Sequence, residues 1–128
     1  MFHIASYETF QDGDVIFEEG SHGDWIYVID EGAVEISRII DGEKMVIEIL
    51  KPGDLFGEMA YIAKMPRTAT AIARGVTTLG IIDRNFFDLE FNKLQSDFQL
   101  IFKTIAFRLK KTTEEVLQLR SERNHKQA

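Results

Sequence analysis

The sequence has 128 residues, of which 45% are hydrophobic and only two are proline, which predicts one globular domain with a single core and excludes a disordered chain. A net charge of -6 opposes the phosphate backbone of nucleic acid, so direct nucleic acid contact by this chain is not expected. The absence of cysteine excludes disulfides and cysteine nucleophiles, and no apolar run approaches the roughly 20 residues that cross a bilayer. We expect a soluble, cytoplasmic protein without a membrane segment.

The chain up to Asp83 consists of short β-rich runs that end in turn residues. Asp41-Gly42 lies between two of these runs and predicts a tight hairpin, because glycine supplies positive φ without strain. Six or more closely spaced short strands indicate a β-sandwich or a jelly-roll β-barrel, that is, a mainly β fold with added helices. The runs are DVIFEEG, DWIYVIDEG, AVEISRII, EKMVIEIL, TATAIARG and TTLGIID.

One segment inside the β-rich part, GEMAYIAKM, has the composition of a short helix. Gly57 before it permits a close approach of the backbone, and the first turn of such a helix offers free amides to an anion. Arg67 follows nine positions after Glu58, and its planar fork binds phosphate oxygens in pairs, with the Thr68 hydroxyl as a further donor. Glu58 cannot share the anion, but it can accept from a sugar hydroxyl. The constellation therefore predicts a sugar phosphate ligand.

The last part of the chain changes to a helical period. Apolar positions recur with the 4-3 spacing of a coiled-coil seam, and polar residues between them predict a solvated face. We expect the Phe98 to Ile105 half of this seam to pack on its own barrel and the Leu109 to Leu119 half to pair with a second chain. The predicted organisation is a β-barrel over residues 1–92, and C-terminal helices for lid and dimerisation over 93–128. The seam comprises Phe98, Phe102, Ile105, Leu109, Thr112, Val116 and Leu119; the solvated face comprises Gln99, Lys103, Arg108, Lys110, Lys111, Glu114, Glu115 and Gln118.

The segments GDVIFEEGSHGDWIYVIDEGAVEI, KPGDLFGEMA and PRTATA, together with the closing helix, resemble the cyclic nucleotide-binding domains of catabolite activators, cyclic-nucleotide-dependent kinases and gated channels. The phosphate-binding cassette of that family is a G-E-x-A helix start followed by Arg and a small or hydroxyl residue. Gly57, Glu58, Ala60, Arg67 and Thr68 fill it in order. The branch that the sequence resembles most is the sensor domain of bacterial catabolite activator (cyclic AMP receptor) proteins.

The resemblance implies a role for each cassette residue. Glu58 is expected to accept from the ribose 2′-hydroxyl and Arg67 to bind the exocyclic phosphate oxygens, while the amides near Gly57 and Ala60 complete the phosphate cradle. The segment RLKKTTEEV is similar to the activator segment in which two adjacent hydroxyl residues touch the purine, one of them across the dimer. The expected ligand-binding residues are therefore Gly57, Glu58, Met59, Ala60, Arg67, Thr68, Ala69, Thr112 and Thr113.

The function that the resemblance implies is a regulatory domain that binds a cyclic nucleotide, with cyclic AMP favoured. Occupancy would be signalled through the C-terminal helix of a homodimer to an attached or partner effector, which the sequence does not identify. The activators continue into a winged helix-turn-helix about where this sequence stops, so we expect a module of, or acting in trans on, a larger effector.

Three other interpretations compete with this one. A cyclic GMP sensor would share the fold, because a Thr at position 68 goes with cyclic GMP in the kinase branch. A ligand-free β-barrel that only binds protein would leave Glu58 and Arg67 unexplained. A metal-dependent jelly-roll enzyme needs clustered histidines, whereas His3, His22 and His125 are scattered. We expect no catalytic residues, no metal and no cofactor apart from the nucleotide ligand.

Overall fold

A computed structural model describes residues 2–127 of the chain. It confirms the mainly β fold with added helices that the sequence predicted. Six strands and three helices follow one another as β1 (Ile4–Phe10), β2 (Val15–Phe17), β3 (Tyr27–Ile40), β4 (Glu43–Leu50), β5 (Leu55–Phe56), α1 (Glu58–Ala63), β6 (Thr70–Ile82), α2 (Arg84–Asn92) and α3 (Ser96–Gln127).

The strands form one antiparallel sheet in the order β1-β6-β3-β4, with β2 added to β6 and β5 added to β3. The prediction that all strands are short was wrong: β3 has 14 residues and β6 has 13, and each joins two of the predicted runs. Gly32 and Gly75 adopt positive φ inside these strands, so they bend the chain and do not end the strand. Long bent strands let one sheet curl into the jelly-roll barrel. Strand β1 was not among the predicted runs.

The core lies between the curled parts of the sheet. Ile29, Val34, Leu79 and Ala71 are at most 2% exposed and belong to one apolar cluster. The predicted hairpin at Asp41-Gly42 is confirmed, with φ of 53° and 79° at its two turn residues. The core therefore fixes β3 and β6 against each other, and the hairpin fixes the register of β4.

Helix α1 lies where the sequence predicted it. It begins at Glu58, directly after Gly57, and Ala60, Tyr61 and Ala63 are buried. Ala63 and Met65 form a small apolar cluster with Ala106 of α3. The short helix is thus held between the barrel and the long C-terminal helix.

The N-terminal half of α3 does not pack its apolar seam on the barrel, so that prediction was wrong. Phe98, Phe102 and Ile105 are 46–56% exposed. The face of α3 that meets the rest of the chain instead buries Ala106, Leu117 and Ser121. The small side chains of Ala106 and Ser121 let the helix approach closely, which a row of phenylalanines would prevent.

Some residues of the predicted solvated face lie on this inner side of α3. Gln99, Lys103, Lys110 and Glu114 are partly buried, and Leu117 packs against the β3–β4 hairpin. Most of the apolar seam is left outward: Val116 and Leu119 are 56% and 65% exposed in the single chain. Leu109 is 53% exposed and also borders the cavity between α3 and the barrel. The sequence predicted C-terminal helices over residues 93–128. From residue 93 to 127, the structure contains one helix, α3.

Within residues 2–127, no helix has the length and apolar character needed to span a membrane.

Candidate functional site

A cavity of about 280 Å³ opens between the barrel, α1 and α3. Its volume is close to the lower end of the range usual for small-molecule pockets, roughly 300–1,000 Å³. Of the nine residues expected to bind ligand, eight line it, and the exception is Thr112. The eight are Gly57, Glu58, Met59, Ala60, Arg67, Thr68, Ala69 and Thr113.

Gly57 brings the start of α1 against Arg67. Its φ is 87°, a left-handed conformation that favours glycine. A Cβ atom at this position would lie 2.8 Å from Arg67 Nη1 and 2.9 Å from the Trp25 carbonyl oxygen. Any larger residue would therefore displace the arginine, which explains why a glycine precedes Glu58.

Arg67 is buried, with 4% of its surface exposed. Nη1 donates to the Gly57 carbonyl and Nη2 to the Trp25 carbonyl, both at 3.0 Å. The guanidinium carbon lies 4.2 Å from the ring centre of Phe17, a cation–π contact. Its backbone is held too, because Arg67 N donates to Ser21 O and Gly20 N donates to Arg67 O, each at 2.8 Å. The arginine is therefore placed before any ligand arrives.

The guanidinium of Arg67 has hydrogen-bonding capacity to spare. Its Nε is buried and has no partner among the described residues, and no carboxylate of residues 2–127 lies within ion-pair distance. Burial lowers the pKa of Arg67, although the charges of Tyr27, Asp24 and Glu58 partly oppose this change. A buried cation without an ion pair is costly in free energy, and a bound anion would offset that cost.

Glu58 faces the same cavity from the first turn of α1. Burial raises its pKa, while a hydrogen bond from its own backbone amide and the charge of Arg67 lower it. The carboxylate is thus desolvated at a site where a hydroxyl donor would stabilise its charged form. This environment suits recognition of a neutral sugar hydroxyl.

Helix α3 closes the cavity from the other side with Leu109, Lys110 and Thr113. Thr113 is half-buried, whereas Thr112 is exposed and lies outside the cavity of the single chain. The predicted pair is therefore divided between two faces of the helix, because consecutive helical residues point about 100° apart.

Ten residues that line the cavity were not predicted. Most are apolar strand residues that form a wall suited to a flat ring, and three are charged. No local pattern marks these positions, since strand pairing and the packing of α3 bring them here from distant parts of the chain. They are Phe17, Ile36, Arg38, Ile47, Glu48, Leu50, Leu55, Phe56, Leu109 and Lys110.

The cavity thus combines a buried cation, a carboxylate, a hydroxyl and an apolar wall. These groups fit a ligand with an anionic end, a sugar hydroxyl and an aromatic ring. Over the part of the chain that the structure describes, no group of three or more His, Asp or Glu could hold a metal ion.

Comparison with known proteins agrees with this chemistry. The cyclic nucleotide-binding domain family matches residues 7–93. The chain is 39% identical over 101 residues to a cAMP-dependent protein kinase regulatory subunit of Dictyostelium discoideum, covering 67% of this chain and 31% of that protein. The curated relatives are much longer: the chain spans 21% of an uncharacterized ABC transporter ATP-binding protein of Mycobacterium tuberculosis.

Two solved structures share the fold over most of the chain. The EAL enzyme Bd1971, in its cAMP and cyclic-di-GMP bound form, superposes with a TM-score of 0.80 at 28% identity, covering 96% of this chain and 33% of that one. The catabolite activator protein of Thermus thermophilus gives 0.66 at 26% identity, covering 90% and 53%. On the family match and the fold together, this chain belongs to the cyclic nucleotide-binding domain family.

Proposed function

We propose that this chain is a non-catalytic sensor domain that prefers cyclic AMP to cyclic GMP and signals its occupancy to an effector. The observation that carries the proposal is Arg67, a buried guanidinium with an unpartnered Nε, in the same cavity as the desolvated carboxylate of Glu58. An anionic phosphate beside a ribose hydroxyl would satisfy both groups at once.

In this proposal the phosphate lies against Arg67, Thr68 and the start of α1, and Glu58 accepts from the ribose 2′-hydroxyl. The base lies along the apolar wall and meets α3 at Thr113. Thr112, which points outward, would reach the base of a partner chain's ligand. Residues 1–92 would form the ligand-binding barrel and residues 93–128 the lid and dimer element.

Signalling would follow from a shift in population between open and closed arrangements. Ala63 and Met65, at the end of α1 and just after it, pack on Ala106 of α3. A phosphate that draws α1 inward therefore also moves the surface on which α3 rests. The ligand shifts the equilibrium only by as much as it binds the closed arrangement more tightly. The outward seam of α3 would carry this change to a second copy and to an effector in the cytoplasm.

Calorimetric titration with cyclic AMP, cyclic GMP and 5′-AMP tests the proposal. We expect the tightest binding for cyclic AMP, weaker binding for cyclic GMP and the weakest for 5′-AMP, which lacks the cyclic phosphate. If none of the three binds, the chain is a ligand-free interaction module. If cyclic GMP binds most tightly, the chain is a cyclic GMP sensor.

Glu58→Gln tests the ribose contact. The substitution keeps the size of the side chain but weakens its acceptance from the 2′-hydroxyl, so cyclic AMP should lose about 10-fold in affinity. The 2′-deoxy analogue of cyclic AMP has no such hydroxyl and should lose much less. Equal losses for the two nucleotides, measured by calorimetry, would remove Glu58 from the ribose.

The double variant Thr112→Val and Thr113→Val tests the purine contact. A threonine hydroxyl can accept from the adenine 6-amino group but can also donate to guanine O6, so discrimination should be modest, on the order of 1–3 kcal/mol. We expect the preference for cyclic AMP over cyclic GMP to decrease in the double variant. An unchanged ratio of the two dissociation constants would assign the selection to another residue, with Thr68 as the first to examine.

A further inference from the structure

Arg38, a charged residue on β3, lines the cavity together with Glu58 and Arg67. Its side chain is only 12% exposed, and Nη2 donates to Glu19 at 3.5 Å and to Glu114 at 3.3 Å. Both side-chain hydrogen bonds of Arg38 within residues 2–127 come from Nη2, and Nη1 donates to none of those residues. Nε is buried without a partner in that range and is closed to solvent. The guanidinium is therefore anchored at Nη2, and Nη1 is the nitrogen left for a ligand.

Arg38 lies next to the part of the cavity wall that α3 forms. Its partner Glu114 directly follows Thr113, which lines the cavity. Ile36 and Ile47 supply apolar surface on the same strands. A phosphate held at Arg67, as proposed above, leaves the base to extend towards this wall, so Arg38 meets the base and not the phosphate.

We propose that Arg38 is a specificity-determining residue that donates to acceptor atoms on the purine edge; the inference rests on the proposed function. Both purines offer N7 as an acceptor, but guanine adds the acceptor O6 where adenine has a 6-amino donor. The Nη1 group of Arg38 can donate to O6 but cannot accept from the 6-amino group of adenine. Arg38 therefore favours guanine, and it reduces the preference for cyclic AMP that the threonines create.

The two carboxylates explain how a cation is maintained beside a neutral base. Glu19 and Glu114 are 26% and 41% exposed, and their ion pairs with Arg38 offset the cost of its burial. Glu19 is itself positioned by the backbone amide of Ile39, at 3.0 Å. The anchor lies behind the cavity wall: neither glutamate lines the cavity.

Arg38→Met tests the inference, because methionine keeps the apolar stem and removes every donor. We would titrate parent and variant with cyclic AMP, cyclic GMP and cyclic IMP, whose base has O6 and N7 but no 2-amino group. Cyclic GMP and cyclic IMP should each lose about 10-fold in affinity, and cyclic AMP about 3-fold or less. Equal losses for all three nucleotides would overturn the inference.

Two further variants separate base recognition from a structural role. Arg38→Lys keeps a cation for Glu19 and Glu114 but loses the separate Nη1 donor, so cyclic GMP should again lose more affinity than cyclic AMP. This variant decides the question if Arg38→Met does not fold. Glu114→Gln breaks the ion pair to α3 and keeps Nη1, so the ratio of the cyclic GMP and cyclic AMP dissociation constants should stay within about 2-fold of the parent. If Glu114→Gln reproduces the effect of Arg38→Met, Arg38 acts by holding α3 and the inference fails.

The same titrations distinguish the two proposals. A parent chain that binds none of the three nucleotides rejects the proposed function, and the role of Arg38 with it. If the parent binds them but the ratio of the cyclic GMP and cyclic AMP dissociation constants is unchanged in Arg38→Met and Arg38→Lys, only the role of Arg38 is rejected.

Discussion

Arg67→Ala is expected to abolish most cyclic nucleotide binding. Truncating a charge-assisted contact to a largely buried phosphate costs on the order of 2–5 kcal/mol, which is roughly 30-fold or more in affinity. Calorimetric titration with cyclic AMP measures the loss directly. Binding within a few-fold of the parent would show that Arg67 does not hold the phosphate.

The burial of Arg67 requires a stability control. Its removal leaves the carbonyl groups of Gly57 and Trp25 without their donors and removes the contact with Phe17, so the variant should also melt at a lower temperature. The melting temperature of the variant is therefore determined first, by thermal unfolding monitored by circular dichroism. Binding is then measured well below that temperature.

Two matched variants isolate the phosphate contact. Arg67→Lys keeps the positive charge but loses the paired donors, and it should bind more weakly than the parent and more tightly than Arg67→Ala. Arg74→Ala removes an arginine from β6, the strand that follows the Arg67 loop; Arg74 pairs with Glu35 and does not line the cavity. It should keep the affinity of the parent. A loss in Arg74→Ala as large as that in Arg67→Ala would indicate a general effect of net charge.

Val116→Lys is expected to convert a dimer into monomers. Val116 belongs to the outward seam of α3, and it is 56% exposed in the single chain, so the substitution should cost the monomer little stability. In a parallel dimer through this seam, two lysines would be buried face to face without partners, at a cost of about 3–5 kcal/mol. Light scattering should give the mass of one chain for the variant and of two chains for the parent.

Leu100→Lys provides the matched control for the seam. Leu100 is 64% exposed on the same helix. It comes two residues after Phe98 of the seam, so it lies about 200° around the helix from the seam. It introduces the same charge away from the proposed interface, so the dimer should persist. Dimeric Val116→Lys, or monomeric Leu100→Lys, would place the interface on another surface.

Local chemistry explains what could be predicted about the site. Gly57, Glu58, Arg67 and Thr68 belong to one short segment, and the structure brings them to one cavity because a short helix and the loop that follows it span that distance. The composition of the segment is sufficient to predict α1, and Asp41-Gly42 is sufficient to predict its hairpin. In both cases the interactions that fix the structure lie within a few residues.

The sequence by itself determined the β-rich part, the position of α1, the hairpin and the cassette, since each depends on neighbouring residues. The tertiary structure alone decided which face of α3 meets the barrel, because a periodic apolar stripe shows that a surface is to be buried but not by which partner. It also decided that Thr113 lines the cavity while Thr112 lies outside, and that Arg38 joins the wall. Those outcomes depend on strand pairing and helix packing between residues that are far apart in the chain, where no local pattern distinguishes one alternative from another.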